Sequence, residues 1–102
     1  MSRKLVQINF KYAVSLDELE QGAAQAVRPI QESPGFIWKI WIYNDQDKIC
    51  GGIYLFADEA SAQAYVDGPV VEQLRNTPAF EGFSVRQFDI METLSAATDA
   101  PV

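Results

Sequence analysis

Hydrophobic and polar residues alternate over residues 4–12, with Leu5 the one apolar residue in the polar phase. Val6, Ile8, Phe10 and Tyr12 share one side of that segment, and Leu5, Gln7, Asn9 and Lys11 share the other. A period of two marks a strand. Ser15 then stands three residues before Glu18, the spacing of a helix-start capping box. Leu16, Leu19, Ala23, Ala26, Val27 and Ile30 follow at helical spacing, which predicts a helix over about 16–31. Pro29 falls near its end, where it can kink or stop it. Ser33-Pro34-Gly35 is a turn. Residues 36–43 are almost wholly apolar and β-prone, a second strand, and Asn44 to Asp47 supply a hairpin turn. Residues 48–56 form a third strand with Gly51-Gly52 at its middle. Asp58 is a good cap for a short helix carrying Ala60, Ala62, Ala64 and Tyr65, and Gly68-Pro69 breaks it. A second short helix is expected over 69–76, a loop between Pro78 and Gly82, and a fourth strand over 83–91. The Ala-, Ser- and Thr-rich end from Thr93 reads as loosely ordered or arm-like. One domain over 1–92 with a tail over 93–102 is the resulting division.

The order β-α-β-β-α-β is that of a ferredoxin-like α+β domain, a four-stranded antiparallel sheet with helices on one face. The uncovered face of such a sheet normally shows polar residues at every second position. The second strand departs from that rule. Phe36, Trp38, Ile40 and Ile42 fall in one phase; Ile37, Trp41 and Tyr43 fall in the other, interrupted only by Lys39. The third strand sets Ile49, Ile53 and Leu55 against Cys50, Tyr54 and Phe56. Both faces call for burial, since soluble monomers avoid wet apolar patches of several hundred Å². Sheet-to-sheet packing of two copies is the simplest cover, so a homodimer is expected.

Composition narrows the chemistry. At 102 residues, 48% hydrophobic, the chain suits one domain with its own core. Eight basic residues against fourteen acidic ones leave a charge of −6, which argues against nucleic acid as a partner. No run approaches the roughly 18 apolar residues of a membrane span, and none resembles a signal peptide. No membrane association and a cytoplasmic location are the matching expectations. Cys50 is the single cysteine, so an internal disulfide and a thiolate metal cluster are excluded. The chain has no histidine. That removes Ser-His-Asp and Cys-His nucleophile systems, His-ligated haem, His-based zinc and the 2-His-1-carboxylate iron site.

What remains is a set of polar and aromatic residues on the strands. Gln7 and Asn9 share a phase on the first; Trp38, Lys39 and Trp41 lie on the second, Tyr54 on the third and Arg86 on the fourth. Buried amides, Tyr and Arg cost about 1–3 kcal/mol each without partners, and lining a small cavity is one way to satisfy them. Trp38, Trp41 and Tyr54 could wall a flat ligand. Lys39 or Arg86 could hold a phenolate or enolate. Gly51-Gly52 lacks the context of a phosphate loop and marks either a bulge or steric room for an indole or ligand. Cys50 reads as a small buried hydrophobe. Glu32, before the Pro34-Gly35 turn, is a candidate acid/base group.

Pro34-Gly35-Phe36, Trp38-Lys39, Trp41, Gly51-Gly52-Ile53-Tyr54-Leu55-Phe56 and Asp58-Glu59 together resemble the YdhR-like monooxygenase family of the dimeric α+β barrel superfamily. The resemblance continues through Ser61-Ala62, Ala64-Tyr65, Phe88-Asp89, Glu92 and Leu94-Ser95. It implies ferredoxin-like subunits paired into a barrel, with a pocket between sheet and helices in each. It also implies cofactor-independent oxygenation of an electron-rich aromatic or quinol-type ligand, the deprotonated substrate passing an electron to O₂. On that reading Lys39 or Arg86 stabilises the oxyanion and Asn9 orients substrate or O₂. Trp38, Trp41, Tyr54, Gly52, Tyr65 and Glu32 contact substrate, and no metal or other cofactor is needed. Haem-degrading members of the superfamily use a histidine, so that branch is disfavoured here. Two alternatives stay open: a non-catalytic module binding a small aromatic, and an isomerase or lyase in which Glu32 moves a proton.

Overall fold

The computed structural model describes residues 2–102. Four strands and four helices follow in the order β1 (Lys4–Tyr12), α1 (Leu16–Gln31), β2 (Phe36–Asn44), β3 (Ile49–Phe56), α2 (Glu59–Val66), α3 (Pro69–Arg75), β4 (Phe80–Asp89) and α4 (Glu92–Ala97). The strands form one antiparallel sheet in the order β2-β3-β1-β4. This is the ferredoxin-like arrangement expected from the element order. No helix among the described residues is long and apolar enough to cross a membrane.

The helices start where short side chains can satisfy free backbone amides. Ser15 Oγ accepts from the Glu18 amide at 3.2 Å, and Asp58 accepts from the Ser61 amide at 2.8 Å. Pro29 does not stop α1; it sits in the last turn, and the helix closes at Glu32. The core lies between the helices and one sheet face. Val6, Ile8, Phe10 and Tyr12 meet Cys50, Tyr54 and Phe56 there, with Ile30, Ala62, Tyr65 and Val71 from the helices.

Two bulges decide which side chains reach that core. The β2/β3 register shifts between Phe36 and Trp38. Phe36 therefore packs edge-on to Phe56 at 6.1 Å, while Trp38, Ile40 and Ile42 face away from the helices. The sequence alternation had put Phe36 with those three; the bulge moves it to the opposite side. The β1/β4 register shifts between Asn9 and Lys11. There Gly82 takes φ +66°, a backbone conformation that suits glycine. The bulge lets β4 begin at Phe80, not at residue 83, and sets Phe80 and Phe83 each 4.7 Å from Phe10. No shift occurs at Gly51-Gly52, where both ladders are continuous.

The C-terminal segment differs from its expected looseness. Residues 92–97 form α4, which ends at Asp99 (φ +65°) with the Ala100 amide returning to Ser95 O at 3.0 Å. Such a return is a Schellman-type stop. Beyond it, Pro101 O accepts from Trp38 Nε1 at 2.9 Å, which ties the tail to β2.

Candidate functional site

The helix face of the sheet and α1 do not close on each other completely. A cavity of about 460 Å³ separates them. Its floor is Ile8, Cys50 and the backbone of Gly51; its roof is Leu16, Leu19, Ala23 and Ala26 of α1. Small residues above glycine leave volume that larger side chains would fill. Val70 and Leu74 of α3 and Phe80 of β4 close the inner end. Trp41 and Tyr43, on the sheet's edge strand and largely exposed, stand at the open side. At this size the space falls within the range of small-molecule sites.

Lys39 is the cation of this wall. Its Nζ lies 3.3 Å from the Trp41 ring centroid and 4.5 Å from that of Tyr54. Among the described residues it makes no ion pair, whereas Lys4 holds Asp89 at 2.9 Å and Lys48 holds Asp45 at 3.4 Å. Burial pulls the Lys39 amine down to about 7. The ring faces act in the opposite sense, because their quadrupoles favour the ammonium. Gly52 is what admits the side chain: a Cβ there would collide with Lys39 Cε. The room expected at this glycine is therefore occupied by the lysine stem, not by an indole.

Tyr54 is buried beside Lys39, and its hydroxyl accepts from Tyr65 Oη at 3.1 Å. Burial raises the Tyr54 hydroxyl far above its ordinary value and lifts Tyr65 to about 12. Burial likewise pushes the Cys50 thiol up to about 11. The neutral forms of all three persist at physiological pH, and the thiol is a poor nucleophile there.

Of the residues singled out in the sequence, Lys39, Trp41, Tyr54 and Gly52 come together at the cavity, with Tyr65 behind Tyr54. Asn9, Arg86 and Trp38 do not. They lie in the phase of the sheet that faces away from the helices. Asn9 Oδ1 accepts from Gln7 Nε2 at 3.0 Å, Arg86 is exposed across from Gln7, and Trp38 is bonded to the tail. Nor does Glu32 reach the cavity. It caps α1 and borders a separate depression of about 280 Å³ with Ser33, Ser61 and Tyr65. A proton-transfer role for Glu32 in the cavity thus loses its geometry. The sequence reading missed the roof. Its signal was the run of small residues, Gly22, Ala23 and Ala26, on a helix otherwise lined by leucines. Among the described residues no group of three acidic, Cys or His side chains is placed to hold a metal ion.

Comparison with known proteins fits this architecture. A family model described as "Putative mono-oxygenase ydhR" matches residues 5–101. Among curated protein sequences none matches the chain. A protein of unknown function, NE2512 from Nitrosomonas europaea, superposes with TM-score 0.74 at 17% identity, over 89% of this chain and 91% of its own. SnoaB, a cofactor-independent oxygenase from Streptomyces nogalater, gives 0.73 at 17% identity, over 92% and 98%. The haem-degrader MhuD from Mycobacterium tuberculosis, solved with two haems in its active site, gives 0.64 at 20% identity, over 85% and 95%. At such identities the structural likenesses establish a common fold.

Proposed function

This chain belongs to the YdhR family of the dimeric α+β barrel superfamily, and from that premise we propose that it is a homodimeric, cofactor-independent monooxygenase acting on a small electron-rich aromatic or quinol-type substrate. The observation that carries the reading is Lys39: an amine with no carboxylate partner among the described residues, on the wall of a largely apolar cavity, flanked by two aromatic rings. SnoaB, which shares the fold, is a cofactor-independent oxygenase, and this supports the reaction class. MhuD points elsewhere, to haem, but this chain has no histidine with which to ligate haem iron.

The chemistry follows from the surroundings of the amine. A flat substrate slides between the α1 roof and the sheet floor, with Trp41 and Tyr54 against its rings. The Lys39 amine takes the proton of the bound substrate and as ammonium holds its oxyanion, an interaction strengthened by the apolar walls; the proton returns to the peroxide formed later. The anion passes one electron to O₂, and the resulting radical pair recombines at carbon to a peroxide. For an anthrone, loss of water then leaves the anthraquinone, so that C₁₄H₁₀O and O₂ give C₁₄H₈O₂ and H₂O. The substrate supplies every electron. The protein contributes position, a dry chamber and one cation.

The outward sheet face completes the proposal. Ile40 is 51% exposed and Phe88 43% exposed on that face. Packing it against a second copy removes them from water, and two-fold pairing needs no further partner. The test of function is oxygen uptake by metal-stripped protein with anthrone and quinol substrates. Uptake that falls at least about tenfold in Lys39→Met, the equivalent of about 1.4 kcal/mol of lost transition-state binding, is the expected result. No uptake above background across such a panel would overturn the proposal.

A further inference from the structure

We propose that Lys39 also condenses with aromatic aldehydes that enter the cavity, holding them as an imine. The proposal rests on the cavity being a ligand site, as above, but not on oxygen chemistry. Its ground is the contrast among the four lysines. Lys4 is held by Glu59 and Asp89, Lys48 by Asp45, and Lys11 is exposed on the outward face of β1. Lys39 alone lies in the wall of a largely apolar cavity, open on one side, with no ion-pair partner among the described residues. Its stem is fixed by the gap at Gly52 and its amine by the rings of Trp41 and Tyr54. An amine so placed has little to stabilise its charge beyond two ring faces, and desolvation favours the neutral, nucleophilic form.

The step balances without an added reagent. The lysine nitrogen attacks the carbonyl carbon, and one nitrogen proton moves to the carbonyl oxygen to give a carbinolamine. The C–O bond then breaks, water leaves, and C=N remains. No electrons are gained or lost. Tyr65 donates its proton to Tyr54, so the Tyr54 proton is uncommitted and available to the carbonyl oxygen. The same aromatic walls that accept an aromatic anion accept the ring of the aldehyde. The ligand class is therefore a flat aryl aldehyde, with the carbonyl directed to Lys39.

The experiment incubates the intact protein with 2-naphthaldehyde at neutral pH, reduces with cyanoborohydride and maps the adduct by peptide mass spectrometry. Binding of 2-naphthol, which cannot condense, is measured in parallel. The expected result is adduct on Lys39 exceeding that on any other lysine by more than about tenfold, the ratio one unit of lowered basicity supplies. In Lys39→Arg, which cannot condense, that adduct vanishes, while 2-naphthol binding to the unsubstituted protein reports separately that the cavity takes the ring. Adduct spread evenly over the lysines overturns the proposal. So does 2-naphthol binding without Lys39 adduct, which leaves the oxygenase reading standing. Failure of both ligands to bind overturns the imine and the cavity together.

Discussion

The two faces of the sheet are built from the same four strands, one residue out of phase, and they differ in kind. Towards the helices the strands present Lys39, Trp41 and Tyr54 around a cavity roofed by Leu16, Leu19, Ala23 and Ala26. Away from the helices they present a hydrogen-bonded Gln7–Asn9 pair, an exposed Arg86, a tail-bonded Trp38 and wet isoleucine and phenylalanine. The cavity lies on the first face, and there Lys39 is flanked by apolar walls that strengthen its charge interactions. The second face carries exposed apolar area, Ile40 and Phe88 among it, which suits a partner sheet. Polar residues on strands are thus weak pointers to a site until their phase is known.

The largest effect that separates the faces is on stability. Tyr54→Ala removes a fully buried ring and the hydroxyl partner of Tyr65, and should cost about 3–5 kcal/mol in denaturant unfolding. Arg86→Ala, on the other face and exposed in the single subunit, should stay within about 0.5 kcal/mol when unfolding is followed on the monomer. Equal losses would erase the distinction.

The next effect is a pH dependence. Lys39 titrates near 7 when folded and at its ordinary 10.5 when unfolded. Above about 7 the unfolded chain holds more protons, so stability should rise with pH, by on the order of 2 kcal/mol up to about 9. Above about 9 Cys50 opposes the rise, because its thiol ionises near 9.0 unfolded but near 11 folded, and the two contributions roughly cancel near pH 10. Lys39→Met should flatten the rise and be the more stable protein at pH 6. Unfolding curves across pH 6–9 that keep the rise in the variant would show that the amine is solvated.

The adjacent glycines give a smaller and sharper contrast. A methyl at Gly51 meets the Ile8 carbonyl of β1, which is backbone and cannot turn aside. A methyl at Gly52 meets the end of Lys39, which can. Gly51→Ala should therefore cost about 1–3 kcal/mol, the range for overpacking, and Gly52→Ala roughly 1 kcal/mol or less. Yet Gly52→Ala should lower ligand affinity more, because the displaced group is the amine. Denaturation and 2-naphthol titration of the two variants check both halves.

Much of this was legible in the residues. Alternation and capping gave the element order, and the Pro34-Gly35-Phe36, Trp38-Lys39 and Gly51-Gly52 pattern gave the family. The two-sided apolar character of β2 pointed to a covered outer face, a reading that sedimentation can check: the pairing requires a particle of twice 11.4 kDa. What the residues could not give was phase. One extra residue at Ile37 sends Phe36 inward and leaves Trp38 outside, and nothing in the local composition announces it. Gly82 signals a loop equally well as a bulge, so the start of β4 was displaced. Asn9 and Arg86 were grouped with Lys39 because all are polar residues on strands; only the ladder shows that they never share a face with it. The alanines of α1 looked like ordinary helix formers until the glycines opposite gave their size a consequence.

The chain's two tryptophans stand one on each face, so they can report which face takes the ligand. In protein labelled with 5-fluorotryptophan, the two ¹⁹F resonances are assigned through Trp38→Phe and Trp41→Phe. Titration with 2-naphthol should then move the Trp41 resonance and leave that of Trp38 in place. A moving Trp38 signal beside a still Trp41 would put the ligand on the outward face and contradict the account.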